Sequence, residues 1–213
     1  MRKQEVEIIW GVELEGYVAS KVLYLPDGWA SHKDGSIKPG YATQAIEFVR
    51  GPTDYRPEEM DVFKSDLQAI SKWNPQANES CGFHIHVSLA SWKGAIPNEA
   101  KETLISRFYR DQGFLFSLNG AEMEHRRGNM YCKPLKSEGL ADYDFRNRYQ
   151  ALNLTAPTKG VEFRLFAGTF DPKVVLNTTE ITIRWFEAAL KGEKLKLPPK
   201  LASWASRQKN KSF

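Results

Sequence analysis

The sequence of 213 residues has only two cysteines, Cys81 and Cys132, too few for a disulfide framework. No apolar run comes near the ~20 residues that a membrane helix needs, so no membrane partner is expected. Met1-Arg2-Lys3-Gln4-Glu5 leads into an alternating stretch without the apolar centre of a signal peptide. A cytoplasmic setting is the expectation. Internal repeats and interdomain linkers are missing. So is any motif presenting a nucleophilic Ser, Cys or Lys, which leaves an acyl-enzyme mechanism without a candidate residue. Basic excess is also missing from most of the chain. The net charge is +4, but residues 191–213 carry seven basic residues and one acidic one, which leaves the rest at −2. The chain divides into a body, residues 1–192, and a basic C-terminal tail, residues 193–213, expected as a solvated end. Such a tail attracts polyanions weakly, and nucleic acid is not an expected partner.

What is present suits one domain with a full core: 41% hydrophobic and 12% aromatic residues. Residues 6–19 alternate as a strand, with Glu13 and Glu15 on one face and Val12 and Leu14 on the other. Short strand candidates follow at 21–25 and 29–33, with turns at Pro26-Asp27-Gly28 and Asp34-Gly35-Ser36. Residues 41–49 place Ile46 and Phe48 opposite Ala45, Glu47 and Val49. Pro57 opens a helix on which Met60, Phe63, Leu67, Ile70 and Trp73 keep helical spacing, and Asn74-Pro75 ends it. Residues 81–89 place Phe83, Ile85, Val87 and Leu89 opposite His84, His86 and Ser88. A helix is expected over 97–118, with Gly113 as a possible kink point. Residues 121–148 are polar and rich in Arg and Gly, with little apolar anchor, and suggest a lid or binding loop. A strand at 149–155 sets Leu152 and Leu154 against Asn153. Thr158-Lys159-Gly160 turns it into a strand at 161–166, where Val161, Phe163 and Leu165 alternate with Glu162, Arg164 and Phe166. A last helix covers 172–191, with Asp171 as its cap and Gly192 at its end.

The polar faces of these strands carry Glu13, Glu15, Glu47, His84, His86, Asn153, Glu162 and Arg164. The opposite faces are apolar, and amphipathic helices can cover them. An α+β fold follows, a mostly antiparallel sheet with helices on one face and an open charged face. Adjacent carboxylates repel unless a cation or a shared proton lies between them. Four Glu with imidazole support suit Mg²⁺ or Mn²⁺ better than zinc. Arg164 beside Glu162 then meets an anion held by the metals, such as a phosphate.

The ordered set Gly11-Val12-Glu13-Leu14-Glu15, Asp34-Gly35-Ser36, Ala45-Ile46-Glu47-Phe48-Val49, Cys81-Gly82-Phe83-His84-Ile85-His86-Val87, Arg148-Tyr149-Gln150-Ala151-Leu152-Asn153 and Val161-Glu162-Phe163-Arg164-Leu165-Phe166 resembles the amidoligase family. These are carboxylate–amine ligases related to glutamine synthetase and glutamate–cysteine ligase. The resemblance spans residues 11–171. It implies the glutamine synthetase-type catalytic fold over residues 1–192 and ATP-dependent amide formation with two or three Mg²⁺ or Mn²⁺ ions. It implies Glu13 on the nucleotide-side metal, and Glu15 and Glu47 on the substrate-side metal. His84 resembles the metal-binding histidine, His86 the one facing the ATP phosphates, and Glu162 the late metal ligand. Arg164 resembles the arginine on the transferred phosphate or the substrate carboxylate. Arg126 or Arg127 resembles the arginine of a phosphate clamp. The substrates implied are a small-molecule or peptide carboxylate and an amine. The sequence departs from the pattern in two ways. Glutamine synthetase has a preceding domain that completes a neighbouring subunit's site, whereas this sequence starts at the Glu13 strand, so shared sites are not implied. Arg50 stands where many relatives have a small hydroxyl residue, which touches substrate-side selectivity. Two other readings use the same residues: a binding protein that keeps the fold without turnover, and a metal-dependent hydrolase. The general base and the oligomeric state have no signal in the sequence.

Overall fold

Alternation becomes a sheet in the computed structural model, which describes residues 7–19, 24–38, 44–92, 94–155 and 160–211. The strands are β1 (Ile8–Val18), β2 (Trp29–His32), β3 (Gln44–Asp54), β4 (Gly82–Leu89), β5 (Leu152–Asn153) and β6 (Val161–Ala167). They form one six-stranded sheet in the order β2-β3-β1-β4-β6-β5, and every pairing is antiparallel. The helices are α1 (Pro57–Ser71), α2 (Asn98–Ser117), α3 (Met123–Gly128), α4 (Pro172–Leu190) and α5 (Pro199–Asn210). The fold is α+β, as the patterning predicts. None of the helices among the described residues is long and apolar enough to cross a membrane.

The sheet is apolar on the side that helices cover. Leu14 faces Phe83, Val12 faces Ile85 and Trp10 faces Val87 across β1 and β4, all of them buried. Helices α1, α2 and α4 set their periodic apolar residues against this layer. Phe63 of α1 meets Trp10 edge-on at 4.9 Å. Trp185 of α4 sits edge-on between Phe163, at 5.6 Å, and Phe108 of α2, at 5.9 Å. Offset and edge contacts of this kind add to the stabilisation from buried area. Asp171 caps α4, its side chain accepting from the backbone N–H of Lys173 (2.8 Å) and Val174 (3.3 Å), which satisfies donors that the first turn leaves open.

Several expectations need correction. The stretch 149–155 is a strand only at Leu152–Asn153. Around it the backbone pairs elsewhere: Lys133 N–H donates to Tyr149 O and Ala151 N–H to Lys133 O, each at 2.8 Å. On β6 the alternation breaks. A register shift against β4 turns Phe166 to the helix side, where its ring lies 5.7 Å from that of Phe83. Bulges of this kind re-aim side chains, and this one follows Arg164. The stretch 121–148 is better anchored than its polarity suggests, because Met123, Cys132, Leu135 and Tyr143 are buried. The tail is not a solvated end: α5 buries Leu201, Trp204 and Ala205 in the main core. The start of the first strand at Val6, residues 21–23 of the second candidate strand, residues 41–43 of the fourth and the Thr158-Lys159 turn lie outside the described residues. Tyr24 and Leu25 belong to no strand.

Candidate active site

Strand β1 is central, and its register sets the site. Glu13 lies opposite His84 on β4 and Val49 on β3, Glu15 lies opposite Glu47, and His86 lies opposite Glu162. A one-residue slip on any strand would send its charges into the core. The side chains converge accordingly. His84 Nδ1 is 3.2 Å from Glu13 Oε2 and 3.5 Å from Glu162 Oε1, and its Nε2 is 3.8 Å from Glu15 Oε1. His86 Nε2 is 2.9 Å from Glu13 Oε1. Asn153 Nδ2 donates to Glu162 Oε2 at 2.6 Å, and the Arg164 guanidinium pairs with Glu162 Oε1. Neither member of that pair is on the surface; both are buried.

Gly82 makes room for this convergence. Its N–H donates to Glu15 Oε2 at 2.5 Å. A Cβ there would stand 2.6 Å from His84 Nε2 and 3.1 Å from Glu15 Oε2, inside van der Waals contact. Any larger residue displaces His84, which reaches three of the carboxylates.

Two groups of donors have the spacing of metal sites. Glu13, His86 and Glu162 form one, and Glu15, Asp34 and Glu47 the other; within each group the donor atoms lie within 4.8 Å of one another. Ligands of one octahedral ion at about 2.1 Å are about 3.0–4.2 Å apart, so both sets fit with small side-chain adjustment. Carboxylate-rich donors with one imidazole fit Mg²⁺ or Mn²⁺. Asp34, a turn residue and part of the amidoligase-like set, has no ligand role in the sequence reading. Its Oδ1 accepts from Ser36 N–H and Oγ at 2.7 Å each, which fixes the turn and aims the carboxylate at Glu15 and Glu47. Strand β2 pairs with β3 through His32 and Glu47, and that pairing brings the turn there.

The electrostatics of the two groups differ. Burial works against the Glu13 charge, but hydrogen bonds and charge from His84 and His86 hold its carboxyl well below the usual range. Burial likewise opposes charge on His86, and the Glu13 carboxylate outweighs it and raises the imidazole. Glu47 is pushed up to about 7, by burial first and then by the charges of Glu13 and Glu15. The second group therefore holds a proton near neutral pH where a cation would replace it.

A pocket of about 180 Å³ opens over the second group and reaches Glu13 of the first. Its walls include Glu13, Glu15, Asp34, Glu47, His84, Arg126 and Arg164, with Arg148 and Tyr149 at one side. Beside it, sharing Glu13, runs an apolar groove of about 310 Å³ that includes Ile9, Val49, Pro52 and His86. Arg126, on the last turn of α3, is buried. Its Nη2 donates to Arg164 O at 2.7 Å and its Nη1 to Cys81 O at 3.4 Å, while Nε has no hydrogen-bond partner among the described residues. Burial depresses its pKa, as expected for a cation awaiting an anion. Arg127 points elsewhere. It lies over Phe116, 5.9 Å from the ring, and 3.8 Å from Glu124. Arg50 is also off the site. It faces Val12 across β1, and although Arg50 borders the adjoining groove, its guanidinium lies over Trp10 and Phe63 on the helix side.

Of the residues expected from the sequence, Glu13, Glu15, Glu47, His84, Arg126 and Arg164 line this pocket, and His86 and Glu162 adjoin it through Glu13 and Arg164; Asp34, Tyr131, Arg148 and Tyr149 are wall residues to which the sequence reading gives no role. The Asp-Gly-Ser turn was the visible signal for Asp34; Arg148 and Tyr149 open one segment of the amidoligase-like set, and Tyr131 had no signal beyond its place in a polar, Arg-rich stretch. No family model and no curated protein matches the chain.

Proposed function

We propose that this protein is an ATP-dependent carboxylate–amine ligase, built on a glutamine synthetase-type catalytic sheet and working in the cytoplasm. The observation that carries the reading is the juxtaposition of two metal-type donor groups with two buried arginines: Arg164 and Arg126 share a pocket with Glu13 and the second group, and Arg164 pairs with Glu162 of the first. Held by Glu13, His84 or His86, and Glu162 on one side, and by Glu15, Asp34 and Glu47 on the other, Mg²⁺ or Mn²⁺ supplies charge neutralisation for phosphoryl transfer. The apolar groove beyond His86 takes the base of ATP, and His86 meets the phosphates. Arg164 and Arg126 face the oxygens of the transferring γ-phosphoryl group. A carboxylate oxygen attacks the γ-phosphorus, ADP leaves, and an acyl phosphate forms. A neutral amine then attacks the acyl carbon and phosphate leaves. Positioning and charge carry such a reaction, and no residue of the chain becomes acylated.

The test is a screen of purified protein with Mg²⁺, ATP, a panel of acids and an amine. The expected products are ADP and phosphate, with ¹⁸O from the labelled acid appearing in phosphate. Product without nucleotide would indicate a metal-dependent hydrolase. Label in AMP would indicate adenylation. Tight nucleotide binding without turnover across the panel would favour a binding protein.

A further inference from the structure

The pocket has an aromatic doorstep that neither metals nor ATP use. Tyr131 and Tyr149 stand edge-on to each other with ring centroids 5.3 Å apart. They remain 46% and 38% exposed, although both line the pocket. The pair is rigid because its two backbone segments are paired: Lys133 N–H donates to Tyr149 O and Ala151 N–H to Lys133 O. The shelf is also tied to the reacting side. Arg164 Nε donates to Tyr131 O at 3.3 Å, Arg164 N–H donates to Ala151 O at 2.8 Å, and the Arg164 guanidinium lies 5.9 Å from the Tyr149 ring. Arg148 stacks on the outer part of Tyr149 at 5.3 Å, and Lys133 is exposed beside it.

We infer that the acid substrate is a carboxylate carried by an acidic peptide, whose neighbouring residues lie on the Tyr131–Tyr149 shelf. The identity of the reacting group rests on the ligase reading; the shelf does not. The pocket of about 180 Å³ must hold the carboxylate, the amine and the γ-phosphoryl group, so the remainder of a larger acid has to leave through the open side. That side presents fixed tyrosines, which give large contact area at low entropic cost. Its cations, Arg148 and Lys133, complement further carboxylates. A polynucleotide also stacks on Tyr and Arg, but it offers no carboxylate to activate. A neutral glycan makes no use of the cations.

The test is calorimetry with Mg²⁺ and β,γ-imido-ATP. N-acetylglutamate amide is compared with capped pentapeptides of central Glu, with and without flanking Asp. Two aromatic anchors make the peptides about tenfold tighter than the single residue. In the double variant Tyr131→Ala/Tyr149→Ala that ratio falls to near one while nucleotide binding is unchanged, and Tyr149→Phe keeps it. Equal binding of peptide and single residue, an unchanged ratio in the double variant, no binding of either, or a preference for an oligonucleotide or oligosaccharide would each overturn the inference. If the nucleotide analogue fails to bind, the ligase reading fails. The same ratio measured with Mn²⁺ alone then still decides on the shelf.

Discussion

Each face of the sheet carries a buried arginine set among carboxylates, and the two sets work in opposite ways. On the helix side, Arg50 lies between Trp10 and Phe63, 4.9 Å and 5.6 Å from their rings. It pairs with Glu59 at 3.0 Å and Asp66 at 3.7 Å, and Asp66 also accepts from Trp29 Nε1 at 3.0 Å. The Arg50 hydrogen bond lowers the Glu59 carboxyl pKa. These ion pairs tie α1 to the sheet, although Arg50 Nε and Nη1 make no hydrogen bond among the described residues. On the open side, Arg164 and Arg126 face Glu13, Glu15, Asp34, Glu47 and Glu162. Three of these arginine donors are spent on backbone carbonyls, and Glu47 is left raised to about 7. Arg50, held by two ion pairs and two rings, ties elements of the core together. Arg164 and Arg126, amid a surplus of carboxylates, belong under the proposed reading to a site that awaits cations.

That contrast can be broken by exchange of effects. The largest is expected in turnover: Arg164→Ala slows phosphoryl transfer by about a thousandfold, as lost charge clamps do, whereas Arg50→Met leaves the rate per folded molecule unchanged. Steady-state ADP release measures both. Equal losses would erase the distinction.

The next effect is on stability. Arg50→Ala leaves Asp66 buried without its cation and costs about 3–5 kcal/mol, read from urea unfolding, and Mg²⁺ does not restore it. Arg164→Ala strands Glu162 in the same way, yet Mg²⁺ recovers most of the loss, because a cation takes the arginine's place. Failure of Mg²⁺ to rescue the second variant would mean that Glu162 is only an ion-pair partner.

How far the sequence predicted this contrast depends on the element. Strict alternation in β1, β3 and β4 made the two faces legible, and with them Glu13, Glu15, Glu47, His84 and His86. Arg50 stood out only as a departure from the family pattern after Glu47, while period two already put residue 50 with Ile46 and Phe48 on the helix side. Phe166 was misplaced because a bulge leaves no compositional mark. Helix α5 was hidden by its lysines: the charge count outweighed Leu201, Trp204 and Ala205, whose spacing of three and four is helical. Asp34 was legible as a turn but not as a site residue. Its position depends on pairing between β2 and β3, which local sequence does not encode.

The smallest effect is the pH dependence of the metal-free protein. Glu47 has a folded value raised from 4.5 to about 7, so its contribution is full below 4.5 and is lost as pH rises through 7. His86 is also raised; its contribution is full below its ordinary 6.5 and is lost above it. Glu13, depressed, contributes above 4.5 and loses that only in stronger acid. Melting temperature should therefore fall as pH rises from about 4.5 to beyond 7. Glu47→Gln or added Mg²⁺ should flatten that fall. A profile unchanged by either would remove Glu47 from the cation group.

The central claim is that the open face holds two divalent ions beside a nucleotide, and counting bound Mn²⁺ by electron paramagnetic resonance tests it most directly. With β,γ-imido-ATP, the wild-type protein should bind about two Mn²⁺ per chain, and Glu13→Gln and Glu15→Gln should each weaken a different one. No Mn²⁺ bound with nucleotide, or binding that neither substitution changes, would contradict the account.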